Sequence, residues 1–153
     1  MDVAFTTDIA VAPPKLWPWI VEPERMKQWM RGLETIEFEG GGGYRPGARA
    51  RMVIKEGARL SSYDFEVTAC EPARLLAITV RPPKPKGFEM TCRYELVPQA
   101  GALTRLDYSG EMRTERTFWR VICFLFGWAM KLQAKSFMKT LKKLAELDKA
   151  TGW

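Results

Sequence analysis

The sequence predicts an α+β protein in which a curved antiparallel sheet of seven strands wraps around one long C-terminal helix, with two short helices after the first strand. Three observations lead to this fold class. Segments that alternate apolar and polar residues recur along the chain, as half-buried strands require. The links between the last six segments are short, which implies antiparallel hairpins. The final third, residues 117–149, lacks proline and is long enough for a helix of about 50 Å.

The N-terminal part predicts one strand and two short helices. Residues 2–11 have an apolar or β-branched side chain at every second position, and Pro13 follows shortly after them. Proline is well tolerated in the first turn of a helix, so a short helix begins there, and a second one covers residues 24–30. We expect Trp17 and Trp29 to pack these helices against the open end of the sheet.

Six further strands are predicted before the long helix. The alternation in the fourth strand of the chain places Tyr63, Phe65 and Val67 on one face of the sheet and Cys70 on the other. The four glycines at 40–43 lack the spacing and the lysine of a phosphate-binding loop, so we interpret them as a flexible turn beside a cavity. The six strands lie within residues 33–39, 48–55, 63–70, 75–81, 88–96 and 105–112.

The long helix is the only predicted element large enough to cover the apolar face of such a sheet. Its second half is amphipathic, with lysines that point away from the apolar side: Lys131, Lys135, Lys139 and Lys142. Its first half is apolar almost all round, because a second group lies on the opposite side: Val121, Phe124, Leu125, Trp128 and Leu132. Either the helix breaks at Gly127 and buries this group, or the group is exposed and marks a homodimer interface or a peripheral membrane contact.

Composition limits the chemistry that this single domain of 153 residues can carry out. The chain has no histidine, which excludes Ser-His-Asp and Cys-His catalysis and removes the commonest metal ligand. We therefore predict no metal and no cofactor. The net charge is +6, but the basic residues are scattered, so nucleic acid is not an expected partner. An odd number of cysteines (three) without CxxC spacing, no secretory signal and no apolar run of about 20 residues favour a cytoplasmic protein with reduced thiols.

Three local patterns and their order resemble the START-like superfamily, also called SRPBCC or helix-grip proteins, and most closely its polyketide cyclase/dehydrase-like members. The patterns are Pro13-Pro14-Lys15-Leu16-Trp17, then Glu22-Pro23-Glu24 through Trp29, then Phe65-Glu66-Val67 with Glu71-Pro72-Ala73-Arg74-Leu75. The resemblance covers essentially the whole chain. It implies a deep apolar cavity between the sheet and the last helix that holds lipids, sterols, polyketides or similar molecules. Some relatives cyclise or dehydrate polyketides, but no catalytic residue of the family is matched in this sequence.

The inward positions of the strands and of the last helix form a candidate ligand-binding set. Methionines, aromatics and a few phenols suit an adaptable apolar pocket, although plain core packing would produce the same pattern at any single position. The phenols of Tyr63, Tyr94 and Tyr108 would orient the ligand, and Cys92 and Cys123 are expected to be inert buried thiols. The set comprises Met52, Ile54, Tyr63, Phe65, Val67, Met90, Cys92, Tyr94, Tyr108, Met112, Trp119, Cys123, Phe126, Met130 and Phe137.

Three carboxylates near the end of the sheet, Glu89, Asp107 and Glu111, are predicted to face outward. Arg93 and Arg105 lie on the same predicted face and would form cross-strand ion pairs with them, so a catalytic carboxylate dyad is the less favoured interpretation.

The sequence thus predicts a protein that binds an apolar or amphipathic small molecule. The first alternative is a cyclase or dehydratase that works without histidine, and the second is a membrane or protein-partner role for residues 118–130.

Overall fold

A computed structural model describes the backbone of residues 2–81, 88–114 and 117–150, and their side chains except those of residues 56, 88, 114, 117–120, 122–130 and 149–150. The order of elements is the predicted one. The strands are β1 (Asp2–Ile9), β2 (Leu33–Phe38), β3 (Arg49–Glu56), β4 (Arg59–Glu71), β5 (Leu75–Arg81), β6 (Phe88–Gln99) and β7 (Leu103–Thr114), and the helices are α1 (Pro13–Val21), α2 (Pro23–Trp29) and α3 (Thr117–Ala150).

All seven strands form one antiparallel sheet in the order β1-β7-β6-β5-β4-β3-β2. Strands β2 to β7 follow each other as hairpins, because each pairs with its successor in sequence. Strand β1 instead pairs with β7, from Asp2 opposite Glu111 to Ile9 opposite Thr104. The architecture confirms the predicted α+β sheet around a C-terminal helix.

Helix α3 is continuous through Gly127, which excludes the alternative in which the helix breaks at that residue. A single glycine in a helix interior costs only about 1 kcal/mol, which a helix of 34 residues tolerates. The C-terminal half is amphipathic, as predicted, and Met138, Leu141 and Ala145 are at most 2% exposed. Lys142 departs from the expectation, because its Nζ turns back to donate to the carbonyl oxygen of Asp8 at 2.7 Å.

The alternation in β4 is interrupted by a β-bulge between Val67 and Ala69. A bulge adds one residue to one strand, so the side chains beyond it change faces. Cys70 is consequently partly buried, and its Sγ donates to the carbonyl oxygen of Tyr44 at 3.8 Å. The prediction that Cys70 lies on the outer face is wrong for this reason.

The sheet has two different ends. At the closed end, where β1 finishes and β7 begins, α1 packs against the C-terminal turns of α3. The Nε1 of Trp19 donates to Asp148 at 3.3 Å, and the Nε1 of Trp29 donates to the carbonyl oxygen of Trp19 at 2.7 Å. Trp29 is 1% exposed, as its predicted packing role requires, whereas Trp17 is only partly buried. The open end is the opposite one, where β1 and β2 begin and β3 turns into β4.

Within the described residues, no helix has an apolar stretch long enough to cross a bilayer.

Candidate functional site

A cavity of about 600 Å³ lies between the inner face of the sheet and α3, towards the open end. Its wall includes the inner residues of β3 to β7, and Ala134, Phe137 and Met138 of α3 form part of its roof. Exposed residues also contribute to the lining, among them Arg31 and Gln133, so the cavity communicates with solvent at this end. Pockets that hold drug-sized ligands have volumes of about 300–1,000 Å³, and this cavity falls within that range.

The structure brings most of the predicted ligand-binding set together around this cavity. Val67 is an exception, because it is fully buried in the core and does not line the cavity. The side chains of Trp119, Cys123, Phe126 and Met130 lie outside the described residues. The predicted residues that line the cavity are Met52, Ile54, Tyr63, Phe65, Met90, Cys92, Tyr94, Tyr108, Met112 and Phe137.

Two of the predicted phenols form a polar group within the apolar wall. The rings of Tyr94 and Tyr108 lie 5.1 Å apart between centroids, and the Tyr108 hydroxyl donates to the Sγ of Cys92 at 3.8 Å. Burial raises the pKa of both phenols well above the usual value, and it also raises the pKa of the Cys92 thiol. All three groups are therefore neutral near pH 7, when they can exchange hydrogen bonds with a ligand but carry no charge.

Tyr44 lines the cavity and was not anticipated from the sequence. It packs between Phe38 and Phe65, with ring centroids 4.8 and 6.1 Å away, and its hydroxyl donates to the Sδ of Met26 at 3.6 Å. Burial raises its pKa well above the ordinary value. The residue follows the glycine run in a loop, where no alternating pattern predicts which side chains point inward. An aromatic side chain immediately after four glycines was the one available signal.

The short helix α2 also contributes to the cavity, through Met26, Trp29 and Met30. Trp29 thus has two roles, because the structural packing predicted for it leaves part of its ring on the cavity wall. The sequence could not separate these roles, since both need a large buried aromatic side chain at the same position. Further lining residues missed by the sequence analysis are Val3, Ile20, Ile36, Leu76, Ile78 and Val80.

The three predicted outward carboxylates all take part in ion pairs, so they do not form a catalytic dyad. The partners differ in part from the prediction, because several arginines reach the carboxylate two residues away on their own strand, on the same face of the sheet. The pairs are Arg81 with Glu89 at 3.2 Å, Arg105 with Asp107 at 3.4 Å, Arg113 with Glu111 at 2.7 Å and Arg93 with Glu95 at 3.9 Å.

Of the predicted outward apolar group on α3, the structure describes Val121 and Leu132. Val121 is 50% exposed and Leu132 is 57% exposed, as expected for an outward face. The side chains of Phe124, Leu125 and Trp128 lie outside the described residues. In the part of the chain whose side chains are described, no group of three or more Cys, Asp or Glu residues is arranged to hold a metal ion.

Solved structures with this architecture share little sequence with the chain. The Zhui aromatase/cyclase from Streptomyces sp. R1128 has a TM-score of 0.75 at 13% identity, over 95% of this chain and 93% of that one. The corresponding values for Ara h 8.0201 are 0.73 and 15%, over 95% and 97% of the two chains. A protein from Nitrosomonas europaea gives 0.70 and 21%, over 98% and 97%. These likenesses establish the fold.

No curated protein sequence matches the chain significantly. The sequence model of one family, described as polyketide cyclase/dehydrase and lipid transport, matches residues 1–146. The match spans every strand, both short helices and most of α3, and it agrees with the fold and with the apolar cavity. The chain therefore belongs to the polyketide cyclase/dehydrase and lipid transport family.

Proposed function

We propose that this protein binds an apolar or amphipathic small molecule in the cavity between the sheet and α3, and that it carries or stores this molecule without changing it chemically. The observation that supports the proposal is the cavity itself, which has about 600 Å³ of space bounded mainly by methionine, aliphatic and aromatic side chains. A tightly packed core leaves few voids larger than a water molecule. A cavity of this volume therefore supports a bound molecule that fills it.

Transfer of the ligand from water supplies most of the affinity under this proposal. Removing apolar surface from water contributes about 25 cal/mol per Å², or about 0.8 kcal/mol for each buried CH₂ group. Methionine side chains are flexible and polarizable, so Met52, Met90 and Met112 can adapt to ligands of different shapes. The paired phenols of Tyr94 and Tyr108 then fix the orientation of a polar group on the ligand.

The decisive experiment is native mass spectrometry of the purified protein, followed by denaturing extraction of whatever is bound. We expect a discrete additional mass that is released on unfolding and is identified as a lipid or an aromatic molecule. A protein that stays unliganded after incubation with a panel of fatty acids, sterols and aromatic polyketides would contradict the proposal. The same spectrum also reports whether the protein is a monomer or a dimer.

An enzymatic role is the second candidate, because one relative with this fold is an aromatase/cyclase by name. Such a reaction would need a proton donor or acceptor, and the described part of the cavity offers Tyr44, Tyr63, Tyr94, Tyr108 and Cys92. A catalytic acid or base works best with a pKa near the operating pH. Burial moves the pKa of Tyr94 and Tyr108 further away from pH 7, which favours binding over catalysis.

Single replacements of Tyr63, Tyr94 and Tyr108 by Phe separate these two functions. In a carrier, each variant retains ligand binding within a few-fold. In a cyclase or dehydratase, the variant that lacks the acid loses at least tenfold in turnover of a polyketide substrate while it still binds that substrate.

A surface role is the third candidate. Val121 and Leu132 of α3 are exposed, and Leu60 at the start of β4 is 64% exposed at the same open end of the sheet. Such residues suit a membrane surface or a second copy of the chain. A Val121→Glu/Leu132→Glu variant that leaves both vesicle binding and oligomeric state unchanged would exclude this role. We also infer a cytoplasmic location, on the basis of the odd number of cysteines.

A further inference from the structure

Gly110 lies in the interior of β7, where neither the main-chain conformation nor the strand pairing requires a glycine. Its φ lies outside the left-handed region, and its pairing with Cys92 of β6 and Val3 of β1 is in regular antiparallel register. Glycine weakens a strand interior, because it loses more conformational freedom on folding than any other residue and has no side chain to pack. Such a glycine often marks a place that another group approaches closely. The reason for glycine at this position therefore lies in the space above its Cα.

The phenol of Tyr108 occupies the space above Gly110. A Cβ atom added to Gly110 would lie 3.2 Å from the Tyr108 hydroxyl oxygen and 3.7 Å from its Cζ, and the first distance is shorter than ordinary van der Waals contact. Residues two apart on a strand share a face about 6.5 Å apart, and side chains lean along the strand. The ring of Tyr108 thus lies along β7, and its hydroxyl reaches Cys92, the partner of Gly110 in the sheet. The missing side chain at Gly110 is what leaves room for this arrangement.

The Tyr108 hydroxyl is a hydrogen-bond donor with a weak acceptor. It donates to the Sγ of Cys92 at 3.8 Å, and a thiol sulfur accepts less well than a carbonyl oxygen. Burial raises the pKa of Tyr108, so the hydroxyl keeps its proton near neutral pH. Tyr108, Gly110 and Cys92 all line the cavity, which makes the donor accessible to a bound molecule. A ligand that places a carbonyl oxygen here would replace a weak acceptor by a strong one.

The surroundings of this donor favour a neutral acceptor over a charged one. Cys92 and Tyr94 are each 7% exposed, so the site is largely shielded from water. On the neighbouring strand, Ile78 pairs with Cys92 and Leu76 pairs with Tyr94, and both aliphatic residues also line the cavity. A carboxylate would give up its hydration among these apolar side chains, which costs far more than the transfer of an uncharged ketone or ester.

We propose that Gly110 is a positioning residue that gives the Tyr108 hydroxyl its place beside Cys92, and that this hydroxyl selects apolar ligands that carry a neutral carbonyl group. The inference rests on the proposed binding function and adds the residue that sets its selectivity and the chemistry of the ligand's polar group. A larger side chain at position 110 turns the phenol away from Cys92, so the donor no longer meets the carbonyl oxygen. A hydrogen bond of this kind contributes about three- to tenfold in affinity.

Fluorescence titration of the whole chain with two ligands of nearly the same shape tests the proposal. One ligand is 2-acetylnaphthalene, which has a ketone, and the other is 2-isopropenylnaphthalene, in which a CH₂ group replaces the ketone oxygen. The measured quantity is the dissociation constant of the hydrocarbon divided by that of the ketone, because a general loss of cavity volume cancels in this ratio. We expect Tyr108→Phe and Gly110→Val each to lower the ratio about three- to tenfold, and Gly110→Ala to lower it by a smaller factor.

The same substitution in a Tyr108→Phe protein separates positioning from a merely structural effect. If Gly110 acts through the hydroxyl, Gly110→Val leaves the ratio unchanged within about twofold once the hydroxyl is absent. A ratio that falls as much in this background as in the original protein would overturn the positioning role. Ala134→Val is the volume control, since it adds bulk to the cavity from α3 and should weaken both ligands alike. A fall in the ratio equal to that of Gly110→Val would also overturn the role.

Failure of the inference is distinguishable from failure of the binding function. If both ligands bind the original protein but Tyr108→Phe leaves the ratio unchanged, the hydroxyl does not select the carbonyl group and the binding function stands. If neither ligand binds the original protein, both proposals are overturned. Circular dichroism melting curves establish that each variant is folded, and Gly110→Ala, the smaller change, decides the matter if Gly110→Val does not fold.

Discussion

At the closed end of the sheet, Ile9, Leu16 and Leu141 are fully buried and pack into a filled core. At the open end, Tyr63, Met90 and Phe137 are only partly buried and surround a cavity of about 600 Å³. The same strands supply both regions, with the same alternation of side chains. The difference comes from what lies over the sheet, because α1 and the C-terminal turns of α3 cover the closed end together. Stability therefore depends chiefly on one end and ligand binding on the other.

The largest expected effect is on the free energy of unfolding, and it tests whether the closed end is the main source of stability. Leu141→Ala removes a fully buried side chain and leaves a cavity, which should lower the free energy of unfolding by about 2–5 kcal/mol. Leu147→Ala is the matched control on the same helix, since Leu147 is 53% exposed, and it should change the free energy by less than about 0.5 kcal/mol. Urea denaturation measures both, and equal losses would contradict the division into two ends.

The next comparison places the same added volume at each end. Ala145→Phe inserts a ring at a closed-end position that is 1% exposed, and this overpacking should destabilise the protein by about 1–3 kcal/mol. Ala134→Phe places the ring in the cavity, where we expect less than about 1 kcal/mol of destabilisation and at least a tenfold loss in decanol affinity. A cavity variant that binds decanol unchanged would show that the ligand lies elsewhere.

The phenols of the open end predict a loss of stability at high pH. Burial raises the pKa of Tyr94 and Tyr108 in the folded protein above the 10.0 of the unfolded chain, so the unfolded chain releases these protons first. Their contribution is fully present below pH 10 and declines above it, by about 1.4 kcal/mol per pH unit for each phenol. Tyr108→Phe should reduce the pH dependence of the free energy of unfolding above pH 10 by the contribution of one phenol. Denaturation curves from about pH 9 to 11.5 measure it, and identical slopes in the two proteins would refute the prediction.

The smallest expected effect concerns the polar contacts at the closed end. Asp148 of α3 accepts from the Nε1 of Trp19 at 3.3 Å and pairs with the guanidinium of Arg25 at 3.1 Å. Asp148→Asn weakens both contacts and should cost about 0.5–1 kcal/mol, because the site is partly exposed to solvent. Asp8→Asn, on the outer face of β1, is the control. Equal stability of the two variants would show that the contacts of Asp148 with Trp19 and Arg25 do not stabilise the closed end.

The fold was accessible from the sequence because its signals are local and repeated. Alternation along residues 2–11 and in the later strands marks the strands, and the proline before each short helix marks where that helix begins. The short links between consecutive strands indicated antiparallel hairpins. The inner face followed from the same alternation, so ten of the fifteen predicted lining residues do surround the cavity.

Two of the errors come from backbone geometry that the alternation does not reveal. Cys70 turned to the inner side because of a bulge, and Tyr44 reached the cavity from a loop. Val67 had the correct face but lies too deep in the core to meet the cavity. In each case the position depends on contacts with residues distant in the sequence.

The sequence by itself determined the order of the elements, the two faces of the sheet and the absence of histidine chemistry, since these depend on residue types and on their spacing. Only the tertiary structure decided which part of the inner face is filled and which part is hollow. The physical reason is that a cavity forms where the element that covers the apolar face does not fill the space beneath it, and that fit is set by long-range packing.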